Sequence, residues 1–167
     1  KKIVEFLVSA PAWAMTNFMT QCFDDPRVIE IASNSDPPVT LFKQTIHKRD
    51  NLNILDFGSG NGRLLSRIKE SPETSYRVSN YACFDIDENY NEILIRKKAN
   101  SVFNKLEKIP QGRYDIAVLV NVLHEMHIKD WAPSINKIRT ALQSMGFLVI
   151  IEDTELPIGE LPNDHGF

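Results

Sequence analysis

Cysteine is scarce in this chain: Cys22 and Cys83 are the only two. They stand far apart without metal-ligand spacing, so neither a zinc site nor a disulfide framework is written here. Two reduced, buried thiols in a reducing, intracellular compartment suit them best, and a cytoplasmic location is expected. Long apolar runs are missing too, and none approaches the roughly 20 residues of a membrane helix. The opening "KKIVEFLVSAPAWAM" imitates a secretory signal, with two lysines, an apolar run and Ala12-Trp13-Ala14, but the run is short and Glu5 interrupts it. An excess of positive charge is absent: the net charge of −3 argues mildly against a nucleic-acid surface. There is no repeat and no low-complexity tract. What is there is ordinary for one globular domain with a real core: 167 residues, 43% hydrophobic and 25% charged.

Apolar residues at mixed three- and four-residue spacing predict that residues 1–32 are helical. "SNSDPPV" then breaks the pattern, because Pro37 and Pro38 do not fit inside a helix. Beyond it the chain alternates. Strands are expected at Leu52 to Phe57, Tyr81 to Asp85, Tyr114 to Val122 and Phe147 to Asp153, with a weak one near Val102. Helices are expected at Arg63 to Glu70, about Glu88 to Asn100, and Pro133 to Ser144, the last stopped by Met145-Gly146. Near-continuous apolar strands separated by helices imply a doubly wound, mostly parallel α/β sheet with helices on both faces. Ligands of such sheets bind beyond the carboxyl ends of the strands. The expected organisation is an N-terminal helical segment over residues 1–45, a cap or lid of the same domain, and a core over 46–167.

In "NILDFGSGNGRLL" three glycines fall at alternate positions between a strand and a helix. A dinucleotide fingerprint would need a glycine at position 63, where Arg63 stands, and the Gly-Lys-Ser/Thr ending of a phosphate loop is absent. An acidic residue, Asp56, precedes the turn. A carboxylate there suits an ammonium group, and the amides opening the next helix suit an anion, so the turn matches an amino-acid zwitterion. Asp85, in "CFDID", ends the next strand and can accept hydrogen bonds from a ribose diol. Asp87 competes for that role, but reads as the cap of the following helix. An amino acid plus a ribose points to S-adenosylmethionine.

Together "ILDFGSGNGRLL", "YACFDIDENY" and "YDIAVLVNVLHEM" resemble the class I, Rossmann-type S-adenosylmethionine-dependent methyltransferases, over about Leu52 to Pro157. The resemblance implies that Asp56, Gly58, Ser59, Gly60 and Gly62 serve the amino-acid end of the cofactor and Asp85 the ribose. It further implies that Ile86 packs on the adenine, that Asn104 or Leu106 lies near the adenine edge, and that Asn121 lies by the methionine portion. S-adenosylhomocysteine would be the product. The family's sheet has seven strands, the last two an antiparallel hairpin. This sequence stops at "ELPNDHGF", just past the fifth, and begins with Lys rather than Met, so a fragment of a longer protein with an open apolar edge is expected.

"NVLHEMHIKDW" also resembles the "LHDW" region of methyltransferases that act on small phenolic hydroxyls. By that resemblance His124 is the base and Glu152, in "VIIEDTELP", is the carboxylate that orients it. The family's aspartate is Glu125 here, and an Asp-Trp pair comes only later, as Asp130-Trp131. A packing or capping role at the strand's end is the structural alternative for His124. His124 and His127 lack the four-residue spacing and further ligand of a helical zinc motif, so no metal is expected. Trp13, Met15, Phe18, Met19 and Phe23 could close over a substrate or simply form core. The reading is therefore a methyltransferase of an unidentified acceptor: the acidic balance and the "LHEM" context favour a small molecule, with protein and nucleic-acid acceptors open. A domain that keeps cofactor binding without transfer is the alternative.

Overall fold

Strand-forming runs rich in Ile, Leu, Val and Phe make the frame on which the loops sit. In the computed structural model the described residues are 2–7, Phe42, Ile46 and 49–152. Among them, β1 (Lys2–Leu7), β2 (Leu52–Phe57), β3 (Val78–Phe84), β4 (Ser101–Phe103), β5 (Tyr114–Val120) and β6 (Leu142–Glu152) form one sheet in the order β1-β6-β5-β2-β3-β4. Every pairing is parallel. The connecting helices are α1 (Arg63–Glu70), α2 (Pro72–Ser75), α3 (Asn91–Arg96) and α4 (Ile128–Ala141).

The doubly wound fold expected from the sequence is the one found. Alternation along each strand divides the core in two. Ile54, Tyr81, Cys83, Ile116, Val118 and Val149 meet Leu64, Leu65 and Ile68 of α1, Leu94 of α3, and the helical Phe42 and Ile46. Leu55, Phe57, Ala82, Phe84, Ala117, Leu119, Leu148 and Ile150 meet Ile138 and Ala141 of α4 on the other face. From β2 the chain runs outward through β3 to β4, then returns to the other side of β2 as β5. The strand order thus reverses between β2 and β5, which is where such sheets open a crevice at their carboxyl ends.

Several boundaries and the first strand differ from expectation; β5 ends at Val120 rather than Val122, and β6 starts at Leu142 rather than Phe147. Lys2–Leu7 is a strand, not part of a helix, and it pairs in parallel with β6 from Lys2↔Phe147 to Leu7↔Glu152. A short apolar run such as Ile3-Val4-Glu5-Phe6 carries no decisive period, and the hydrogen-bonding edge of β6 settles it. That edge was expected to lie open; β1 covers it. Residues 8–41, including the "SNSDPPV" break and the possible lid from Trp13 to Phe23, lie outside the described residues, as do Cys22 and residues 153–167. β3 starts three residues early because Val78 already pairs with Leu52. α3 stops at Arg96, since Lys98 takes a left-handed conformation, φ 63°, and turns the chain. α4 starts at Ile128, capped by His127, whose Nδ1 accepts from the Lys129 amide at 3.1 Å. It ends at Ala141 because Leu142 joins β5 opposite Tyr114, after which the register shifts to Ile116↔Phe147. Gly146 sits in that irregular stretch, where a Cβ would come within 3.0 Å of the Tyr114 carbonyl oxygen.

Candidate functional site

At the tip of β2 the chain turns sharply, and each glycine of the turn has a positive φ: 75° at Gly58, 49° at Gly60 and 73° at Gly62. Non-glycine residues pay for that conformation in a clash of Cβ with backbone. Gly58 has a second reason to lack a side chain, because a Cβ there would lie 2.5 Å from Cγ2 of Val122. Gly60 has the opposite environment: a Cβ would meet no atom within 4 Å. The first part of the turn is thus packed against the exit of β5, and its crest faces open space. The amides of Gly58 and Ser59 donate to the Phe84 carbonyl at 2.8 and 3.0 Å, which ties the turn to the tip of β3. The Ser59 hydroxyl, 3.5 Å from the same carbonyl, turns toward β3 as well. Beneath, the Phe57 and Phe84 rings stack at 4.4 Å between centroids and hold the two tips together.

Asp85 follows directly on β3. One carboxylate oxygen accepts from the Gly60 amide at 2.7 Å and the other from the Asp87 amide at 3.0 Å. The ribose candidate therefore also fixes the crest of the glycine turn. Asp87 accepts from the Asn89 amide at 3.0 Å and caps the following helical turn, as its position in the sequence suggests. Ile86, between them, is 82% exposed. An isoleucine held open beside a carboxylate is ready to cover a flat apolar ring. Asn104, after β4, donates from Nδ2 to Glu88 Oε1 at 2.6 Å, so it faces the same loop from the other side.

Asp56 is placed differently from the sequence picture of an open anionic host. Asp56 is 3% exposed, and its carboxylate accepts from the Tyr81 hydroxyl at 2.9 Å. Burial pushes the Asp56 carboxyl up to about 7; the Tyr81 hydrogen bond opposes the rise, and the nearby Asp85 charge adds to it. Burial likewise pushes the Cys83 thiol upward, and the thiol is free and buried.

Across the crevice, Asn121 leaves β5 with φ 54° and donates its amide to the Ile151 carbonyl at 2.8 Å. The turn Leu123–Glu125 follows, and brings His124 to the same end of the sheet as the glycine turn. The His124 side chain is 16% exposed, with Nε2 3.9 Å from Glu125 Oε1. The indole of Trp131, in α4, donates to the Leu123 carbonyl at 3.0 Å and pins that turn. Glu152 is the last residue of β6, on the strand next to β5. Among the described residues no group of three or more His, Cys, Asp and Glu side chains could hold a metal ion, and no helix is long and apolar enough to cross a membrane.

Tyr81, Val122 and Glu88 emerge as site neighbours only from the structure. Tyr81 and Val122 sit within apolar runs, where one residue looks like any other core position. The Asp130-Trp131 pair was visible, but not its bond to the turn before it.

The open crest of the glycine turn, the carboxylate at the next strand and the exposed Ile86 fit a ligand with an amino-acid end, a ribose and a flat ring. Comparison with known proteins agrees. The family model for the methyltransferase domain matches residues 25–161. Fusarin C synthetase of Gibberella moniliformis is 28% identical over 124 residues, 68% of this chain but 3% of that protein. The polyketide synthase-nonribosomal peptide synthetase phmA of Phaeosphaeria nodorum is 28% identical over 138 residues, 71% of this chain and 3% of that protein. The chain thus spans a small fraction of the length of these curated relatives. The Burkholderia thailandensis 1,6-didemethyltoxoflavin-N1-methyltransferase, solved with bound 1,6-didemethyltoxoflavin and S-adenosylhomocysteine, shares the fold at a TM-score of 0.52 and 20% identity, covering 86% of this chain and 66% of that one. The CurJ carbon methyltransferase does so at 0.54 and 19%, covering 88% of this chain and 41% of that one. A family match over most of the chain, on a fold that presents this crevice, leads to one assignment: the chain belongs to the methyltransferase domain family, as a class I, Rossmann-like methyltransferase whose cofactor is S-adenosylmethionine.

Proposed function

We propose that the acceptor is a small molecule, an acyl chain of polyketide type methylated at carbon, and that the chain works as one part of a larger synthase. The observation that carries this reading is the match to two synthases of which the chain would be only 3%. A carbon methyltransferase among its structural neighbours supports it.

Bound S-adenosylmethionine supplies an electrophilic methyl group on a sulfonium. In this reading Asp56, Gly58, Ser59, Gly60 and Gly62 hold its amino-acid end, Asp85 its ribose, and Ile86, Asn104 and Asn121 its remaining faces. His124 is the base. A carbon between two carbonyl groups carries an acidic proton, and a neutral imidazole at the mouth of the crevice can remove it. Glu152, on the strand beside β5, would set the tautomer of that imidazole from its other nitrogen.

The test offers the chain S-adenosylmethionine and a β-keto thioester, with methylation read by mass spectrometry. The expected product carries one methyl on the carbon between the carbonyls. His124→Gln should lower turnover by about 10²–10⁴-fold and leave cofactor affinity unchanged. A methyl found on oxygen or nitrogen would overturn the carbon assignment. Cofactor binding without any methylated product, across thioester, protein and nucleic-acid acceptors, would favour a binding or scaffold domain instead.

A further inference from the structure

Asp56 and Tyr81 make a buried polar pair inside an otherwise apolar part of the sheet. Tyr81 is fully buried on β3, and its hydroxyl donates to Asp56 Oδ2 at 2.9 Å. Asp56 lies two residues before Gly58, so this pair stands at the root of the glycine turn. The groups around it are few. Cys83 is the register neighbour of Asp56 on β3, and Val118 its apolar neighbour on β5. Asp85 acts on Asp56 from beyond the tip of β3. Lys69 of α1 makes its charge felt at Cys83. In this setting the tyrosine hydroxyl is what favours the charged carboxylate, against burial and against Asp85.

A polar pair in such a place costs desolvation, and a phenylalanine with an apolar partner would pack there without that cost. The pair makes sense if the carboxylate is needed. We propose that Tyr81 is a positioning residue for the cofactor: its hydroxyl holds Asp56 in the orientation and charge state that the amino-acid end of S-adenosylmethionine meets, and binding expels a proton from Asp56 to solvent. This rests on the assignment of Asp56 to the cofactor. The sign follows from linkage. A ligand bearing an ammonium and a sulfonium favours the carboxylate form, so affinity rises as pH rises through about 7, where the Asp56 carboxyl titrates. Removing the Tyr81 hydroxyl moves that rise to higher pH.

Calorimetric titration of S-adenosylmethionine into the full chain tests this, in pairs of buffers with different ionisation enthalpies, from about pH 6 to about pH 8.5. The wild type should release roughly half a proton per cofactor near pH 7. Tyr81→Phe should release more, bind about fivefold more weakly at neutral pH if the carboxyl rises by about one unit, and converge on the wild type at the alkaline end. Titration of the cofactor's own amino group is shared by the wild type and Tyr81→Phe; against Asp56→Asn the comparison is read at and below pH 7, where that group is already about 80–90% protonated. No proton release by the wild type relative to Asp56→Asn overturns the proposal, and that result stands even if Tyr81→Phe does not fold. So does a Tyr81→Phe defect of equal size at every pH, which is what mere loosening of the sheet would give. Asp56→Asn binding as the wild type does at every pH would remove Asp56 from the cofactor altogether. An affected Asp56→Asn beside a silent Tyr81→Phe would remove only Tyr81.

Discussion

The two sides of the crevice are built by different means. On the β2–β3 side the working parts are backbone: three glycines in a left-handed conformation, amides tied to the Phe84 carbonyl, and one carboxylate bonded to the crest of the turn. On the β5–β6 side they are side chains carried by a short turn, with His124 held there because Trp131 pins the Leu123 carbonyl. A cofactor that never changes can be met by a fixed backbone. An acceptor that differs between relatives calls for side chains, which can be exchanged without disturbing the sheet. Val122 joins the two sides, being the residue on which Gly58 closes.

That contact is the place to break the comparison. Gly58→Ala should have the largest effect. The left-handed backbone costs about 1–2 kcal/mol and the overlap with Val122 about 1–3 kcal/mol more, and cofactor affinity should fall by about thirtyfold or more. Gly62→Ala meets a flexible side-chain tip, Leu94 Cδ2 at 2.9 Å, and should cost less. Gly60→Ala meets no atom and should carry the backbone cost alone. Thermal melts and calorimetry on the three give the order. Val122→Ala in the Gly58→Ala background should return part of the loss. Equal losses at Gly58 and Gly60 would show that conformation rather than packing against β5 sets the site.

Asp85→Ala comes next. It removes the carboxylate proposed to hold the ribose and also the acceptor for the Gly60 and Asp87 amides, at 2.7 and 3.0 Å. A hydrogen bond to a charged group contributes about 1.5–3 kcal/mol, so the loss of one such bond to the cofactor should lower its affinity roughly ten- to a hundredfold. Turnover at saturating cofactor should change little, because no residue of the β5 side is touched. A turnover loss that saturation does not repair would mean that the two sides are not separable.

The same division explains what the sequence disclosed. Backbone that must adopt a positive φ demands glycine, so "GSGNG" could be read directly, and Asp87 caps the following helical turn as its position implied. The strands of the central sheet were legible because both faces are buried and the runs are nearly all apolar. Lys2–Leu7 was not, because the partner that makes it a strand is β6, at the far end of the chain. Helix ends drifted for the same kind of reason: Leu142 leaves α4 to pair with Tyr114, and no residue near Leu142 announces it. The burial of Asp56 was also hidden. Its sequence position says strand tip, while the hydroxyl that receives it comes from the next strand.

Trp131→Phe should have the smallest effect, and it sharpens the comparison most. The substitution keeps an aromatic ring in α4, removes the N–H that bonds the Leu123 carbonyl and trims part of the indole's bulk. A typical hydrogen bond contributes about 0.5–1.5 kcal/mol net, so the turn carrying His124 should loosen without unfolding. If that turn positions the base, kcat should fall by roughly three- to tenfold. Cofactor affinity should stay as it was, since the glycine turn and Asp85 are untouched. Steady-state kinetics beside calorimetry separates the two readouts. A fall in affinity matching the fall in kcat would mean that α4 supports both sides of the crevice, and that the division between a backbone side and a side-chain side does not hold.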